Sequence, residues 1–389
     1  MDQAQRAEVS STRKLKKKKR GADRPVVFFD FSLLFVILFL LVFGLIMIYS
    51  TSFYLADLKL GKPDYYFKKQ AISCAIGLVG MFVTANFDYH RYDKLSGYIY
   101  WIAFAMCVLV CIPGIGIEFN GSRRWLGYGP LTFQPSEIAK IACLIFVASV
   151  VCKMPKKINN FSKVVRTIGM VFPIFGMVAY TNLSNALIIM IISVFIIFTA
   201  SKKYIQFFAA AGVIGVAGAI LIMVESYRAE RIDAWLHPET ATKGFQVLQS
   251  LYAVGSGGLF GKGLGQSVQK LGYVPEAQND MIFSIICEEL GLFGAIAVIL
   301  LFVLMIWRFV VIANNAQDLF GSLLVVGVMG HIATQVILNI AVVTNTIPNT
   351  GVSLPFISYG GTSVIFLLAE MGIVLNVSKG IQLEDKDEA

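Results

Sequence analysis

Charge is scarce in this chain. Asp, Glu, Lys and Arg make up 15% of its 389 residues, against about 25% in soluble domains. Histidine is scarcer still: His90, His237 and His331 lie far apart, with no HExxH or Cys/His spacing, so no metal site is expected from them. The only Asp-x-Asp is 385–387, in an acidic C-terminal tail, which leaves a metal-dependent nucleotide-sugar transferase of the soluble type unsupported. Six cysteines are too few for a disulfide scaffold. Cys74, Cys107, Cys111, Cys143, Cys152 and Cys287 all fall in or beside apolar runs and read as packing residues.

What replaces charge is apolar surface. Hydrophobic residues are 57% of the chain, with 30 Phe and 13 Met, and the mean hydropathy is +0.71. A soluble enzyme could not hide this much, and a disordered chain would not carry it, so the expected solvent is lipid. A hydrocarbon core of about 30 Å asks for roughly 20 apolar residues per helix. Ten such runs predict an all-α polytopic membrane protein: 26–49, 70–85, 97–112, 136–151, 167–180, 183–200, 204–224, 281–310, 320–343 and 361–377. Only Thr181 and Asn182 separate the fifth run from the sixth, so one long broken span is an alternative there. The alternating ten-residue strands of a spanning barrel are not the pattern.

Basic residues set the expected orientation. The stretch before the first run carries Arg6, Arg13, Lys14, Lys16, Lys17, Lys18, Lys19, Arg20 and Arg24 against Asp2, Glu8 and Asp23, or +6 of the formal net charge of +9. With that end cytoplasmic, 21 of the 33 Lys and Arg fall inside, and both termini are cytoplasmic. The organisation expected is a disordered basic tail at 1–25, a membrane domain at 26–377 and an acidic tail at 378–389. Beside a first span, the basic run reads as topology and attraction to anionic lipid heads, not nucleic acid. The same orientation puts the longest loop, 225–280, and a second polar loop, 113–135, on the outer side. Loops of that length in compact proteins are usually functional.

Several motifs carry competing readings. The run GSGGLFGKGLG at 255–265 imitates a phosphate-binding loop but has Ser256 where the first Gly belongs and Gly263 where Ser or Thr belongs. A re-entrant or closely packed segment is expected instead, since glycine lets backbone approach backbone at membrane depth. Glu137 and Lys140 lie three apart on one helix face and can pair. Glu288 and Glu289 fall about 12–13 Å deeper along the eighth helix than Asp280. Two carboxylates there need donors or a wet cavity; pairing with a base such as Lys140 and a catalytic role both stand. Asp280 opens the eighth helix, as an N-cap or as a general base presented to a lipid-anchored substrate.

Four stretches, GSRRWL at 121–126, QPSEIAK at 134–140, GFQVLQSLYAVGSGGLFGKGLGQSVQKLGYVPEAQNDMIFSIICEELG at 244–291 and NTGVSLPFISYGGTS at 349–363, resemble the SEDS family of FtsW and RodA, in the family's order. The form GLGQSVQKLGYVPEA and the basic extension look closer to FtsW or its sporulation relative than to RodA. The resemblance implies a ten-helix inverting peptidoglycan glycosyltransferase in the bacterial plasma membrane. Such an enzyme polymerises lipid II into β-1,4 glycan on the outer face, for septal wall synthesis, with undecaprenyl diphosphate as leaving group. It implies a class B penicillin-binding transpeptidase and other divisome membrane proteins as partners. The family motif Pro-Glu-x-His-Thr-Asp puts its catalytic Asp at Asp280. The substrate-facing residues carried over are Arg124, Trp125, Glu137, Lys140, Glu276 and, in the 353–361 loop, Ser353, Ser358, Gly360 and Gly361; Gln134 belongs to the same motif, and Arg123 and Lys270 join as cations for the diphosphate. Glu288 and Glu289 count as structural or cavity carboxylates.

Two departures matter. Gln278 and Asn279 stand in place of the common His-Thr, so no imidazole flanks the base. Asn182 replaces a family carboxylate, and if that carboxylate helps hold a divalent cation such as Mg or Mn, the metal requirement is open. A lipid II flippase and a non-catalytic division scaffold are the rival expectations.

Overall fold

A computed structural model describes residues 29–119, 122–128, 131–154, 160–203, 207, 226–241 and 244–381. The expected basic tail at 1–25, all of the expected seventh span (204–224) but residue 207, and residues 382–389 of the acidic tail lie outside the described residues.

The apolar runs are helices. In chain order they are α1 Phe31–Leu60, α2 Tyr65–Asn86, α3 His90–Cys111, α4 Pro135–Lys153, α5 Phe161–Thr181, α6 Leu183–Ala200, short α7 Ser226–Leu236 and α8 Phe245–Ser256, then α9 Ile282–Asn314, α10 Leu319–Val343 and α11 Gly361–Lys379. Eight of them, all but α2 among the long ones, are apolar and long enough to cross a membrane. Their ends follow local chemistry. Asp30 Oδ1 accepts the Leu33 N–H at 2.9 Å at the start of α1, Asp318 Oδ1 accepts that of Gly321 at 2.7 Å at the start of α10, and Pro135 takes the first position of α4, where its missing N–H costs nothing. The fifth and sixth runs are two helices that pack against each other. Asn182 ends α5 and, by accepting the Asn185 N–H at 3.2 Å, caps α6.

Helix α10 is the hub, packed against α4, α6, α9 and α11, while α2 lies along α11. Large apolar side chains such as Phe35, Trp101 and Trp307 stay exposed on the rim, where lipid would cover them. At one end of the bundle ion pairs gather: Arg308 with Asp30 at 2.7 Å, Lys153 with Asp93 at 3.3 Å and His90 with Asp318 at 2.7 Å. Asp280 and the 345–360 loop lie at the other end. There the polar loop between α3 and α4 pairs its own backbone as a meander of β1 Ile117–Phe119, β2 Ser122–Tyr128 and β3 Leu131–Phe133, with β2 central. Periodicity in a stretch this short gave no sign of those strands.

The expected single eighth span is corrected by one residue. At Gly291 the backbone turns to φ 67, ψ −165 and breaks α9. The break strands helix carbonyls on one side and N–H groups on the other, which lipid cannot satisfy. The glycine-rich segment supplies both sets of partners. Lys262 N–H donates to Glu288 O at 2.9 Å and Gly263 N–H to Glu289 O at 3.0 Å, while Leu292 and Phe293 donate to Gly258 O and Leu259 O at 2.9 and 3.2 Å. Backbones come this close only without side chains: a Cβ on Gly261 would stand 2.2 Å from Glu289 O, and one on Gly291 2.3 Å from Gly261 N. The segment is therefore the closely packed loop the sequence implied, entering through α8 and returning through 264–281.

Gly291→Ala should cost about 3 kcal/mol or more, summing strain and overpacking. Gly255→Ala, in α8 with open space beside it, should be neutral or stabilising by about 0.5–1 kcal/mol. Thermal unfolding in detergent separates them, and equal melting temperatures would contradict the packing described.

Candidate active site

Asp280 sits on the returning arm of the re-entrant segment, one residue ahead of Met281, the N-cap position of α9. The N-cap reading is thereby corrected: α9 starts without a side-chain cap, and Asp280 Oδ1 is buried with no hydrogen-bond partner among the described residues. A Cβ added at Gly351 would stand 3.8 Å from Asp280 Oδ2, in ordinary van der Waals contact. Burial pushes the Asp280 carboxyl up to about 7, with the negative charge of Glu276 adding to the rise and the Arg231 guanidinium opposing it. A carboxylate so poised can take a proton from a hydroxyl near neutral pH.

Two loops hold it. In the turn before Asp280, Asn279 Nδ2 donates to Glu276 Oε2 at 3.0 Å, and Glu276 takes a left-handed φ of 52. Across from it, Phe356 takes a left-handed φ of 64. Strain of this kind costs about 1–3 kcal/mol per residue and persists where surrounding contacts overdetermine it. Those contacts are specific. Asn339 of α10 donates to Asp280 O at 2.7 Å and to Val352 O at 2.8 Å, pinning the two loops together. Tyr359 N–H donates to Gln278 O at 2.8 Å. Gln70 of α2 donates to Ser358 O at 3.5 Å and accepts from Gly360 N–H at 3.1 Å.

A hydrogen-bonded belt extends the site to α4. Ser184 donates to Thr350 O at 2.6 Å, and Asn185 Nδ2 to Ser136 Oγ at 2.9 Å. Beside Ser136, Lys140 Nζ lies 2.8 Å from Glu137 Oε1, both buried, which is the pairing foreseen from their spacing. Arg124 on β2 donates from Nε to Thr181 O at 2.8 Å and so joins the belt at its α5 edge. Trp125 is half-exposed on the same strand, and Gln134 is the N-cap residue of α4. Ser353 and Ser358 lie in the loop above, where Ser358 Oγ accepts the Leu354 N–H at 2.8 Å, and Gly361 starts α11 close to Ser73. Arg123 instead pairs with Glu118 across the meander at 3.3 Å, in solvent.

The deep carboxylates are held by lysines of the re-entrant segment, not by Lys140. Glu288 takes Lys262 at 2.6 Å and also accepts from Ser256 and Ser267. Glu289 takes Lys270 at 2.8 Å and Ser50 at 2.7 Å. Lys270, expected among the cations facing substrate, is thus committed to a buried pair. Folding the loop back on α9 is what brings the lysines there, and spacing along the chain carries no sign of it.

Other residues come to the site without having been singled out. Arg231 of α7 donates to Asn349 O at 2.8 Å, Trp235 donates to Asn345 O at 2.9 Å, and Gln246 bridges Pro275 O and Asn349 at 3.4 and 3.2 Å. A charged residue inside a long polar loop, as Arg231 is, was the available signal. Asn339 had one too: a polar residue in an apolar run.

Residues 31–382 match the family described as "Cell cycle protein", that of FtsW, RodA and SpoVE. The chain is 42% identical over 355 residues to "Stage V sporulation protein E" of Bacillus subtilis (strain 168), covering 90% of this chain and 97% of that protein. It is 34% identical over 360 residues to "Probable peptidoglycan glycosyltransferase FtsW" of Geobacter sp. (strain M18), covering 91% and 98%. Its fold is similar to a chain in the study "Structural coordination of polymerization and crosslinking by a peptidoglycan synthase complex", with a TM-score of 0.76 at 23% identity over 90% of this chain and 97% of that one. It is also similar to the crystal structure of Thermus thermophilus rod shape determining protein RodA, with a TM-score of 0.66 at 23% identity over 92% and 98%.

Removing one partner of a buried pair leaves an uncompensated charge. Lys270→Met should destabilise the chain by about 3–5 kcal/mol, whereas Lys68→Met, which breaks an exposed pair with Asp64, should cost less than about 1 kcal/mol. Thermal unfolding of the two variants in detergent checks this; similar losses would contradict the burial assigned to the Lys270–Glu289 pair.

Proposed function

Because this chain belongs to the FtsW/RodA/SpoVE cell cycle protein family, we propose that it is a peptidoglycan glycosyltransferase of the plasma membrane with Asp280 as its general base. The observation that carries the reading is the Asp280 carboxylate itself, buried, unpartnered at Oδ1 and raised to about 7 between two braced loops. The substrate is lipid II and the product a β-1,4 glycan strand.

In the reaction Asp280 removes the proton from the 4-hydroxyl of the acceptor GlcNAc. The oxygen attacks C1 of the MurNAc donor as undecaprenyl diphosphate departs, so the α-linked donor becomes a β-link. One carboxylate suffices for such a single displacement, whereas retention normally requires a second as nucleophile. Arg231 supplies positive charge beside the base, and Arg124 stands on the belt leading to it, where a cation would stabilise the leaving diphosphate, with Lys140 held behind it in its buried pair with Glu137. Gln134, Glu137, Glu276, Trp125 and the loop of Ser353, Ser358, Gly360 and Gly361 form the rest of the substrate surface in this proposal, with Arg123 at its outer edge.

Among the described residues no three His, Cys, Asp or Glu side chains come together as metal ligands, and Asn182, at the family's carboxylate position, spends its side chain capping α6. The described residues therefore offer a resident Mg or Mn ion no set of three such ligands. A divalent ion arriving with the diphosphate belongs to the substrate.

The positions of Lys and Arg support a ten-span topology with both termini cytoplasmic: Arg91, Lys94, Lys153, Lys163, Arg166, Lys202, Lys203, Arg308 and Lys379 stand towards helix ends opposite Asp280. Asp280 and the 225–280 loop then face outward, where lipid II is presented. The partners in this reading are a class B penicillin-binding transpeptidase, which would cross-link the nascent strand, and other divisome membrane proteins at the septum. The similarity to stage V sporulation protein E supports a sporulation setting as the second reading of where it acts.

With purified chain and labelled lipid II, Asp280→Asn should lower polymerisation by at least about 10²-fold; wild-type rates would refute the assignment, and lipid II movement across vesicles without chain growth would point to a transporter. A base must be deprotonated, so the wild-type rate should rise with pH and level off above about 7. Glu276→Gln removes the charge that helps raise Asp280 and should shift that limb to lower pH. An unchanged or upward-shifted limb would contradict the electrostatics described.

A further inference from the structure

Buried polar groups in proteins keep partners, because each one left unpaired costs about 1–3 kcal/mol. On α10, His331, Gln335 and Asn339 are all buried and follow one another at i, i+4 and i+8. That spacing puts them on one face along about 12 Å of helix. Each keeps one buried polar atom without a hydrogen-bond partner among the described residues: His331 Nε2, Gln335 Oε1 and Asn339 Oδ1. At the deep end, Glu370 of α11 lies 2.8 and 3.1 Å from His331 Nδ1. At the other end Asn339 donates to Asp280 O, and Asp280 Oδ1 is itself without a partner among the described residues.

The chemistry of the row is uniform. In the arrangement where Glu370 accepts from a neutral His331, Nδ1 carries the imidazole proton and Nε2 presents a lone pair. Among the described residues, none of these three acceptors then has a donor within hydrogen-bond distance. One cation with ligands at about 2–2.6 Å cannot serve a row this long, whereas water brings two donors per molecule and commonly makes about three hydrogen bonds when buried. Among the described residues, other buried charged groups are paired elsewhere: Glu137 with Lys140, Glu288 with Lys262, Glu289 with Lys270 and Asp30 with Arg308.

We propose that a file of water molecules runs along α10 from Asp280 to the His331–Glu370 pair, and that this pair receives the proton Asp280 takes from the acceptor sugar. The inference rests on the polymerase reading above. The acceptor O–H bond breaks and its electron pair forms the new bond to C1. The bond from C1 to the phosphate oxygen breaks with its pair on the diphosphate. The proton passes from Asp280 through the waters to His331 Nε2, and the imidazolium so formed rests on the Glu370 carboxylate. Its return along the same file to solvent, after the product moves on, resets the site. His331 and Glu370 touch no substrate; they position and hold a proton behind the base.

Two measurements on the full chain test this. In a map of the wild type that resolves water, density should bridge His331 Nε2, Gln335 Oε1 and Asn339 Oδ1. A dry track with those atoms turned onto one another would overturn the proposal whether or not the chain polymerises lipid II. In the polymerisation assay, each variant measured below its own melting temperature, His331→Gln and Gln335→Leu, which plugs the track without touching the pair, should lower kcat about 10-fold or more at unchanged KM. Imidazole added as a soluble base should raise kcat of these variants more than that of the wild type. An unchanged kcat in both variants, or a loss that imidazole does not relieve, would overturn the relay. Wild-type rates in Asp280→Asn would instead overturn the base assignment on which it depends.

Discussion

In hydrocarbon no backbone N–H or carbonyl can turn to water, and that constraint shapes the functional half of this molecule. Helix α9 breaks at Gly291, and the glycine-rich segment exists in its observed form because it must satisfy both sides of the break. Having entered beside Glu288 and Glu289, the chain has to leave again, and its outgoing arm is the one that carries Asp280. The lysines that neutralise the two glutamates, Lys262 and Lys270, ride on the same segment. One unsatisfied stretch of backbone thus accounts for the glycines, the buried ion pairs and the place of Asp280.

Rigidity at the site follows from the same economy. Asn339 ties the Asp280 turn to the 349–361 loop through two backbone carbonyls, and Gln70 ties that loop to α2. Left-handed Glu276 and Phe356 are held in place by this bracing. Asp280 is therefore mounted on helices through short polar links, although it stands in a turn.

Much of this was legible in the sequence. Nine of the ten expected spans correspond to described helices, because long apolar runs admit few alternatives. The Glu137–Lys140 pair was legible because helical spacing brings residues three apart together. The partners of Glu288 and Glu289 were not, since the lysines approach through a reversal of the chain that no local pattern encodes. The break at Gly291 was hidden inside a run that is apolar throughout. The backbone clamp at Asn339 joins segments far apart in sequence, and the reading of Asp280 as an N-cap failed because the helix begins just after it with its side chain turned elsewhere.

The account turns on Asp280 meeting the acceptor sugar, and a structure of the Asp280→Asn variant with lipid II bound tests that most directly. The account predicts the acceptor 4-hydroxyl within hydrogen-bond reach of position 280, about 2.6–3.2 Å, with the donor diphosphate on the side of Arg231, Arg124 and Lys140. Sugars held away from position 280, or the diphosphate lodged at the opposite end of the bundle, would contradict it.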